Sequence, residues 1–163
     1  MELKIYQLDA FSDHLFGGNP AAVCPLESWL PDTLMQQIAM ENNLAETAFF
    51  VKEEKGYRIR WFTPLTEVKL CGHATLAAAW VYFKHIDSSA HQISFNSLSG
   101  ELTVNRREDR LTLNFPVAHC QTVPAPQLLT SGLGLDPPEV YAADAWLLRL
   151  ANEDAVKNTH PHM

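Results

Sequence analysis

The sequence predicts an α+β fold in which a mostly antiparallel sheet closes into a barrel around one central helix. Residues 72–83 are good helix formers that are apolar on every side, with no charge before Lys84. A helix that is apolar all round must be surrounded by protein or lipid, and a segment of this length is too short for lipid. Segments of alternating polar and apolar residues flank it along the chain and are typical of strands. We therefore expect the sheet to curl around the helix.

The segments before this helix predict four strands and one further helix. Period-two alternation and β-type residues place the strands at residues 3–11, 21–25, 47–51 and 57–62. A helix is expected from Pro31 to about Asn42, because proline is preorganised for a first helical turn and apolar residues then recur at helical spacing.

After the apolar helix the pattern predicts an antiparallel meander and then a looser connector. The strands of the meander are expected at residues 92–96, 100–106 and 110–115. Beyond Pro116 several prolines interrupt the chain, with a short helix expected at 127–133 and a last strand at 145–150. We therefore predict one lobe over residues 1–118, and a connector with the start of an incomplete second lobe over residues 119–163.

Composition excludes several classes of function. The net charge of −7 and the scattered Lys and Arg residues argue against nucleic-acid binding, which requires clustered cations. No apolar stretch reaches the roughly 18 residues of a membrane span. The three widely spaced cysteines include no CxxC pair, which predicts neither a disulfide framework nor a structural zinc site. A reducing cytoplasm is the expected compartment.

Glu46 is the first candidate for chemistry. Its neighbours Leu44, Ala45, Ala48 and Phe49 are apolar. A carboxylate in such surroundings is partly desolvated, which suits general acid–base catalysis. The alternative is a glutamate at a strand edge that simply faces water.

Cys71, Gly72 and His73 form the second candidate, because they stand where the apolar helix begins. Unpaired N–H groups at a helix start attract anions, and a neutral histidine there can bind a substrate oxygen or move a proton. Packing or capping are the alternatives for His73. Cys71 is either a thiolate base, activated by the helix end, or a small buried hydrophobe. No metal site is predicted, because the Cys71 and His73 spacing leaves the other ligands unassigned.

The Gly-Gly-Asn-Pro segment at residues 17–20 offers backbone donors and the Asn19 amide. A plain β-turn explains this segment equally well. It is not a dinucleotide fingerprint, because no helix follows it directly. There is also no Gly-x-Ser-x-Gly elbow of the kind that serine hydrolases carry.

Taken in order, the motifs of this chain resemble one family. The resemblance rests on Asp-Ala-Phe at 9–11, Phe-Gly-Gly-Asn-Pro-Ala-Ala-Val at 16–23, Asn-Leu-Ala-Glu-Thr-Ala-Phe at 43–49, Arg-Trp-Phe-Thr-Pro at 60–64, Glu-Val at 67–68 and Leu-Cys-Gly-His-Ala-Thr-Leu at 70–76. These motifs are similar to those of the PhzF-like (phenazine biosynthesis-like) isomerases, relatives of diaminopimelate epimerase and proline racemase. The resemblance extends from about Lys4 to Leu113.

The resemblance implies a diaminopimelate epimerase-like fold of two lobes, with the active site in the cleft between them. It implies that Glu46 removes a proton from one carbon of a small carboxylate metabolite and returns it to another, with His73 as its catalytic partner and without a cofactor. The residues that would bind the substrate are Asn19, Cys71, Gly72 and Ala74. A biosynthetic role in the cytoplasm and a homodimer are further expectations of the resemblance.

Departures from the family pattern leave alternatives open. Lys69 stands where Asp or Pro is frequent, and Ala45 where Ser is frequent. The acidic-Asp-Pro-x-Thr-Gly motif of the family's second lobe does not occur in these residues. Activity is therefore expected to require a second lobe or a homo-oligomer partner. The alternatives are a non-catalytic binding or interaction module and a racemase that uses Cys71. An open cleft face would expose apolar surface, so we also expect association with a partner lobe or with itself, or poor solubility.

Overall fold

The computed structural model describes residues 2–14, 16–137, 139–143 and 145–161. The chain divides into two compact units, Met1–Pro116 and Val117–Met163, which are called here the first and the second unit. None of the described helices is long and apolar enough to cross a membrane.

The first unit is built on one eight-stranded sheet. Its strands are β1 (Tyr6–Ala10), β2 (Asn19–Leu26), β3 (Glu46–Lys52), β4 (Tyr57–Phe62), β5 (Glu67–Val68), β6 (Gln92–Ser97), β7 (Gly100–Arg107) and β8 (Arg110–Asn114). Their order in space is β1-β2-β3-β4-β6-β7-β8, and β5 pairs with β4. Two neighbouring pairs, β2 with β3 and β4 with β6, are parallel, whereas the other five are antiparallel. The sheet is therefore mixed, although mostly antiparallel as predicted.

Helix α2 (Gly72–Val81) runs inside this sheet, as the all-round apolar pattern predicts. Seven of its ten residues are buried. The strands at the two ends of the sheet order, β1 and β8, both contact the helix. Strands at opposite edges can reach one helix only if the sheet curls around it. The predicted helix extends further than α2, because the chain continues as a π-helical turn at Tyr82–Ile86.

Helix α1 (Asp32–Asn42) connects the parallel strands β2 and β3 across the other face of the sheet. Parallel neighbours need a crossover connection, and a helix is the usual one. Only Met35 and Ala39 of this helix are buried. They pack with Cys24, Phe49 and Phe62 in a cluster separate from the core around α2. Helix α1 therefore follows the predicted bounds and docks through a single stripe.

The second unit contains a three-stranded antiparallel sheet and two short helices. Its elements are β9 (Gln121–Val123), α3 (Gln127–Leu133), β10 (Glu139–Ala142), β11 (Trp146–Arg149) and α4 (Glu153–Lys157). Helix α3 and strand β11 agree with the prediction, whereas β9, β10 and α4 were not predicted. Pro138, which was predicted to lie in the connector, falls outside the described residues.

Candidate active site

Glu46 is the first residue of β3. Helix α1 ends at Asn42, and the left-handed backbone of the next residue, Asn43 (φ 50°, ψ 36°), redirects the chain into the sheet. In the parallel pairing with β2, Glu46 lies beside Ala21. Its side chain is 19% exposed, so most of it is shielded from water. The candidate carboxylate is therefore fixed by the strand that carries it and by the helix before it.

Cys71 and His73 lie at the start of α2, and both are buried. Cys71 precedes the helix in an extended conformation, with φ −147° and ψ 122°. The hydroxyl of Thr75 donates a hydrogen bond to the Cys71 carbonyl oxygen and ties this residue to the first turn. The first four N–H groups of a helix have no acceptor within the helix and carry partial positive charge. The two side chains are thus held beside a backbone that favours negative charge.

The fold brings Glu46 and His73 together, although 26 residues separate them in the chain. The His73 Nε2 atom lies 3.1 Å from Oε2 of Glu46. Both atoms are buried, and neither has a partner of hydrogen-bonding geometry. The imidazole and the carboxylate are therefore in contact without an aligned N–H bond between them. On its other side, His73 Nδ1 lies 3.5 Å from the Cys71 sulfur.

The environment of Cys71 disfavours the thiolate that a cysteine base requires. Burial, with a smaller contribution from the nearby Glu46 carboxylate, raises the pKa of Cys71 to about 12. The backbone amides of Ala74 and His73 act in the opposite direction, as the helix-end argument anticipates, but burial has the larger effect. The structure therefore favours the small buried hydrophobe over the thiolate base at this position.

Gly72 is packed under the ring of Phe115, which follows the end of β8. A Cβ atom at Gly72 would lie 2.9 Å and 3.0 Å from two carbons of that ring. Only a glycine fits there unless the ring moves. Phe115 is 39% exposed, so part of the ring remains available beside the start of α2. The sequence alone places Phe115 only in a strand, because nothing local reveals that its ring covers a glycine 43 residues earlier.

The sequence singles out three further residues, whose surroundings differ from those of this pair. Asn19 is half-buried at the start of β2, two residues before Ala21, and thus at the same end of the sheet as Glu46. Ala74 is fully buried, so its side chain packs in the core around α2. Lys69 is exposed, and its carbonyl oxygen accepts a hydrogen bond from Ser99.

Arg60 stabilises the segment that leads to the helix start. Its guanidinium donates two hydrogen bonds of 2.7 Å to the Glu67 carboxylate and one of 2.8 Å to Asp32. These bonds link β4, β5 and the beginning of α1. Bidentate arginine–carboxylate pairs are among the stronger hydrogen-bonded contacts in proteins. The strand that ends three residues before Cys71 is therefore anchored.

A cavity of about 910 Å³ lies elsewhere on the first unit, beside another face of α2. Its lining includes Tyr6, Leu8, Trp80, His85 and Leu111. Neither Glu46 nor His73 belongs to it. The candidate site is therefore defined by the contacts of its side chains and not by this cavity.

Comparison with known proteins gives the family. Residues 8–163 match the family described as phenazine biosynthesis-like protein. The chain belongs to this family. The phenazine biosynthesis-like chain is 47% identical over 161 residues to an uncharacterized isomerase of Pseudomonas aeruginosa. It is 42% identical over 165 residues to an uncharacterized isomerase of Halalkalibacterium halodurans. Each comparison covers 99% of this chain and 62% of the relative.

A solved structure gives the same answer for the fold. The crystal structure of a phenazine biosynthesis protein of the PhzF family from Enterococcus faecalis superposes with a TM-score of 0.89 at 43% identity. That comparison covers 99% of this chain and 62% of the solved one. The family and the fold class that the motifs predict are therefore confirmed. The chain spans less than two thirds of the length of these relatives.

Proposed function

We propose that this chain forms the N-terminal part of an isomerase that moves a proton between two carbons of a small carboxylate metabolite. The proposal rests on one observation. Glu46 and His73 meet at 3.1 Å, shielded from water, at the start of α2. The names of the two bacterial relatives, both isomerases, support this reaction class.

Glu46 acts first as a base and then as an acid. Its carboxylate removes a proton from a substrate carbon, and the electron pair of that C–H bond moves into the substrate. The protonated Glu46 then returns the proton to a second carbon, so the substrate gains and loses no atoms. A carboxylate with little access to solvent keeps the reacting atoms apart from bulk water during both steps.

The start of α2 stabilises the negative charge of this reaction. The unpaired N–H groups of its first turn are donors for a substrate carboxylate and for charge that develops on it. His73 is in contact with Glu46 and orients it toward the reacting carbon. Gly72 leaves room for the ring of Phe115, which supplies an apolar wall beside the start of α2. We propose that Asn19 binds the substrate from the neighbouring strand.

The rest of the site comes from residues outside this chain. The chain spans 62% of the length of its two bacterial relatives. We infer that a second lobe, supplied in the same polypeptide or by a partner, covers the pair and completes the cleft. We propose a small carboxylate as the substrate of the complete protein, because the start of α2 favours an anion and a carboxylate next to the reacting carbon can take up the electron pair that is left when Glu46 removes the proton.

Solvent deuterium incorporation tests this function. This chain is fused to the remaining part of the Pseudomonas aeruginosa relative, and candidate carboxylates are incubated with the fusion in heavy water. We expect isomerisation with the intact fusion and a loss of about 10² to 10⁴-fold in the Glu46→Gln variant, which is the usual contribution of general acid–base catalysis. The readout is the product and its deuterium content by mass spectrometry and NMR.

Glu41→Gln is the matched control, because Glu41 is an exposed carboxylate on α1. It should retain full turnover. Full turnover of Glu46→Gln together with loss in Cys71→Ser would assign the base to the cysteine. A folded fusion that binds carboxylates without converting any of them would favour the interaction module.

A further inference from the structure

Three side chains of different chemistry converge at the start of α2. Glu46, Cys71 and His73 each offer one possible metal ligand, and these atoms lie within 4.8 Å of one another. They come from three separate positions, which are the first residue of a strand, the residue before a helix and the first helical turn. The backbone, and not a flexible loop, therefore fixes their arrangement.

Two atoms of this cluster lack partners that their burial would normally demand. The His73 side chain is only 9% exposed, and its Nε2 atom has no hydrogen bond. Oε2 of Glu46 is also buried without one. Buried polar atoms are satisfied in the great majority of cases, so unpaired ones call for an explanation. Proton transfer to and from a substrate would explain why the Glu46 carboxylate is buried without a hydrogen bond. It assigns no role to the neighbouring Cys71.

The donor set matches the preferences of zinc. Zn²⁺ takes thiolate, imidazole and carboxylate ligands at roughly 2.0–2.3 Å, and sites with three protein ligands keep one position open. At such bond lengths, neighbouring ligands of a tetrahedral ion lie about 3 to 4 Å apart. Nε2 of His73 lies 3.1 Å from Oε2 of Glu46, and its other nitrogen, Nδ1, lies 3.5 Å from the Cys71 sulfur. With one ligand atom taken from each residue, all three atoms lie within 4.8 Å of one another.

We propose that Glu46, Cys71 and one imidazole nitrogen of His73 bind a Zn²⁺ ion with one open coordination position. The Cys71 thiol gives up its proton to the solvent as the sulfur–zinc bond forms, so binding releases one proton. The sequence alone predicts no metal here, because Cys71 and His73 lack a third ligand. Glu46, 25 residues before Cys71, supplies it.

Zinc at this position regulates the activity proposed above. An ion bound to Glu46 occupies the carboxylate that would otherwise accept the proton from the substrate. Zinc therefore inhibits the isomerase reversibly. This consequence rests on the proposed function, whereas the binding of zinc does not.

Cobalt titration of the chain tests the binding. Co²⁺ replaces Zn²⁺ as the spectroscopic probe, because thiolate ligation gives an intense charge-transfer absorption in the near ultraviolet. We expect one Co²⁺ per chain with this absorption, displaced by Zn²⁺. Calorimetry with Zn²⁺ in buffers of different ionisation enthalpy should give one released proton. Cys71→Ser should abolish the absorption, and Glu46→Gln should weaken binding at least tenfold with the absorption retained.

The control is the double variant His119→Asn with Cys120→Ser, which removes an adjacent and exposed histidine–cysteine pair from the second unit. It should bind as the unaltered chain does. Circular dichroism establishes that each variant is folded. Loss of the absorption in the double variant, or its persistence in Cys71→Ser, would overturn the proposal. The absence of any cobalt–thiolate absorption in the folded chain would overturn it as well.

The inhibition is measured on the fusion with the Pseudomonas aeruginosa relative, with Zn²⁺ added and then removed by a chelator. Reversible loss of turnover supports both proposals. Zinc binding with the expected signature but undiminished turnover would show that Glu46 is not the base of the reaction. The proposed metal site would still stand. Normal turnover of a fusion that binds no metal would contradict the proposed metal site and leave the proposed function unaffected.

Discussion

The two long helices of the first unit have similar lengths and opposite positions relative to one sheet. Helix α1, with 11 residues, lies on the outer face and buries Met35 and Ala39. Helix α2, with 10 residues, lies inside the curl and buries seven. The difference shows that the curvature of the sheet, and not helix length, decides how much of each helix is shielded from water.

The sizes of the buried side chains differ accordingly. Inside the curl, Ala77, Ala78 and Ala79 follow one another, because strands on several sides approach the backbone of α2. On the outer face, one large side chain, Met35, inserts among the aromatic residues of the sheet. The stability of α1 is therefore concentrated in one anchor, whereas that of α2 is distributed over a close fit.

The largest effect is expected at the anchor. Met35→Ala removes a fully buried side chain and leaves a cavity beside Phe49, so the free energy of unfolding should fall by about 2–5 kcal/mol. Met40→Ala is the matched control on the same helix, because Met40 is 58% exposed and its loss should cost less than about 0.5 kcal/mol. Urea denaturation measures both. Equal losses would show that α1 does not dock through one stripe.

A smaller effect is expected from overfilling the inner helix. Ala78 is completely buried in the core around α2, and Ala78→Leu adds a branched side chain where the sheet leaves no room. The expected loss is about 1–3 kcal/mol, measured by the same denaturation. Gln37→Leu on the exposed side of α1 serves as the reference and should change stability little. An inner helix that accepted the leucine without loss would contradict the close fit.

The smallest effect concerns the cysteines of the two clusters. Burial raises the pKa of Cys24, beside α1, and of Cys71, beside α2, from 9.0 to about 12. Well below pH 9 both thiols are neutral in the folded and the unfolded chain. The contribution of the two buried thiols to the free energy of unfolding is then fully present. Between pH 9 and pH 12 only the unfolded chain loses these protons, so stability falls as the pH rises. At pH 10 the loss should be roughly 1 kcal/mol for each cysteine.

Stability against pH in Cys24→Ala and Cys71→Ala measures this contribution. Each variant should lose less stability than the unaltered chain between pH 9 and pH 10. Cys120→Ala, which alters an exposed thiol, should follow the unaltered chain. Identical pH profiles for all four proteins would show that the two buried thiols ionise as easily in the folded state as in the unfolded one.

The difference between the two helices also explains which parts of the fold can be predicted from the sequence. Helix α2 is evident because an all-round apolar segment of this length has few solutions in a globular domain, and α1 is evident from its stripe. The parallel pairings of β2 with β3 and of β4 with β6 were not predicted, because alternation within a strand does not reveal its neighbour. Strands β9 and β10 lie in a proline-rich segment whose local pattern is weak, and their pairing depends on distant residues.

In the candidate site, too, local sequence predicts the residues but not their contacts. Local sequence marks Glu46 by its apolar neighbours and His73 by the helix start, but nothing in either segment brings them to 3.1 Å. That proximity arises from the crossover of α1 and from the insertion of α2 into the curl. The structure disfavours the thiolate alternative for Cys71, because the burial that raises its pKa is a property of the whole fold and not of the local sequence. The ring of Phe115 over Gly72 was not predicted for the same reason.

The left-handed residue Asn43 couples the position of helix α1 to that of Glu46. Glu46 begins its strand only three residues after Asn43, so a shift of α1 along the outer face would carry the carboxylate with it. The position of the Glu46 carboxylate is thus adjustable from the outer face of the sheet. Under the proposed function, substitutions on α1 can therefore alter the reaction while Glu46 and His73 stay the same.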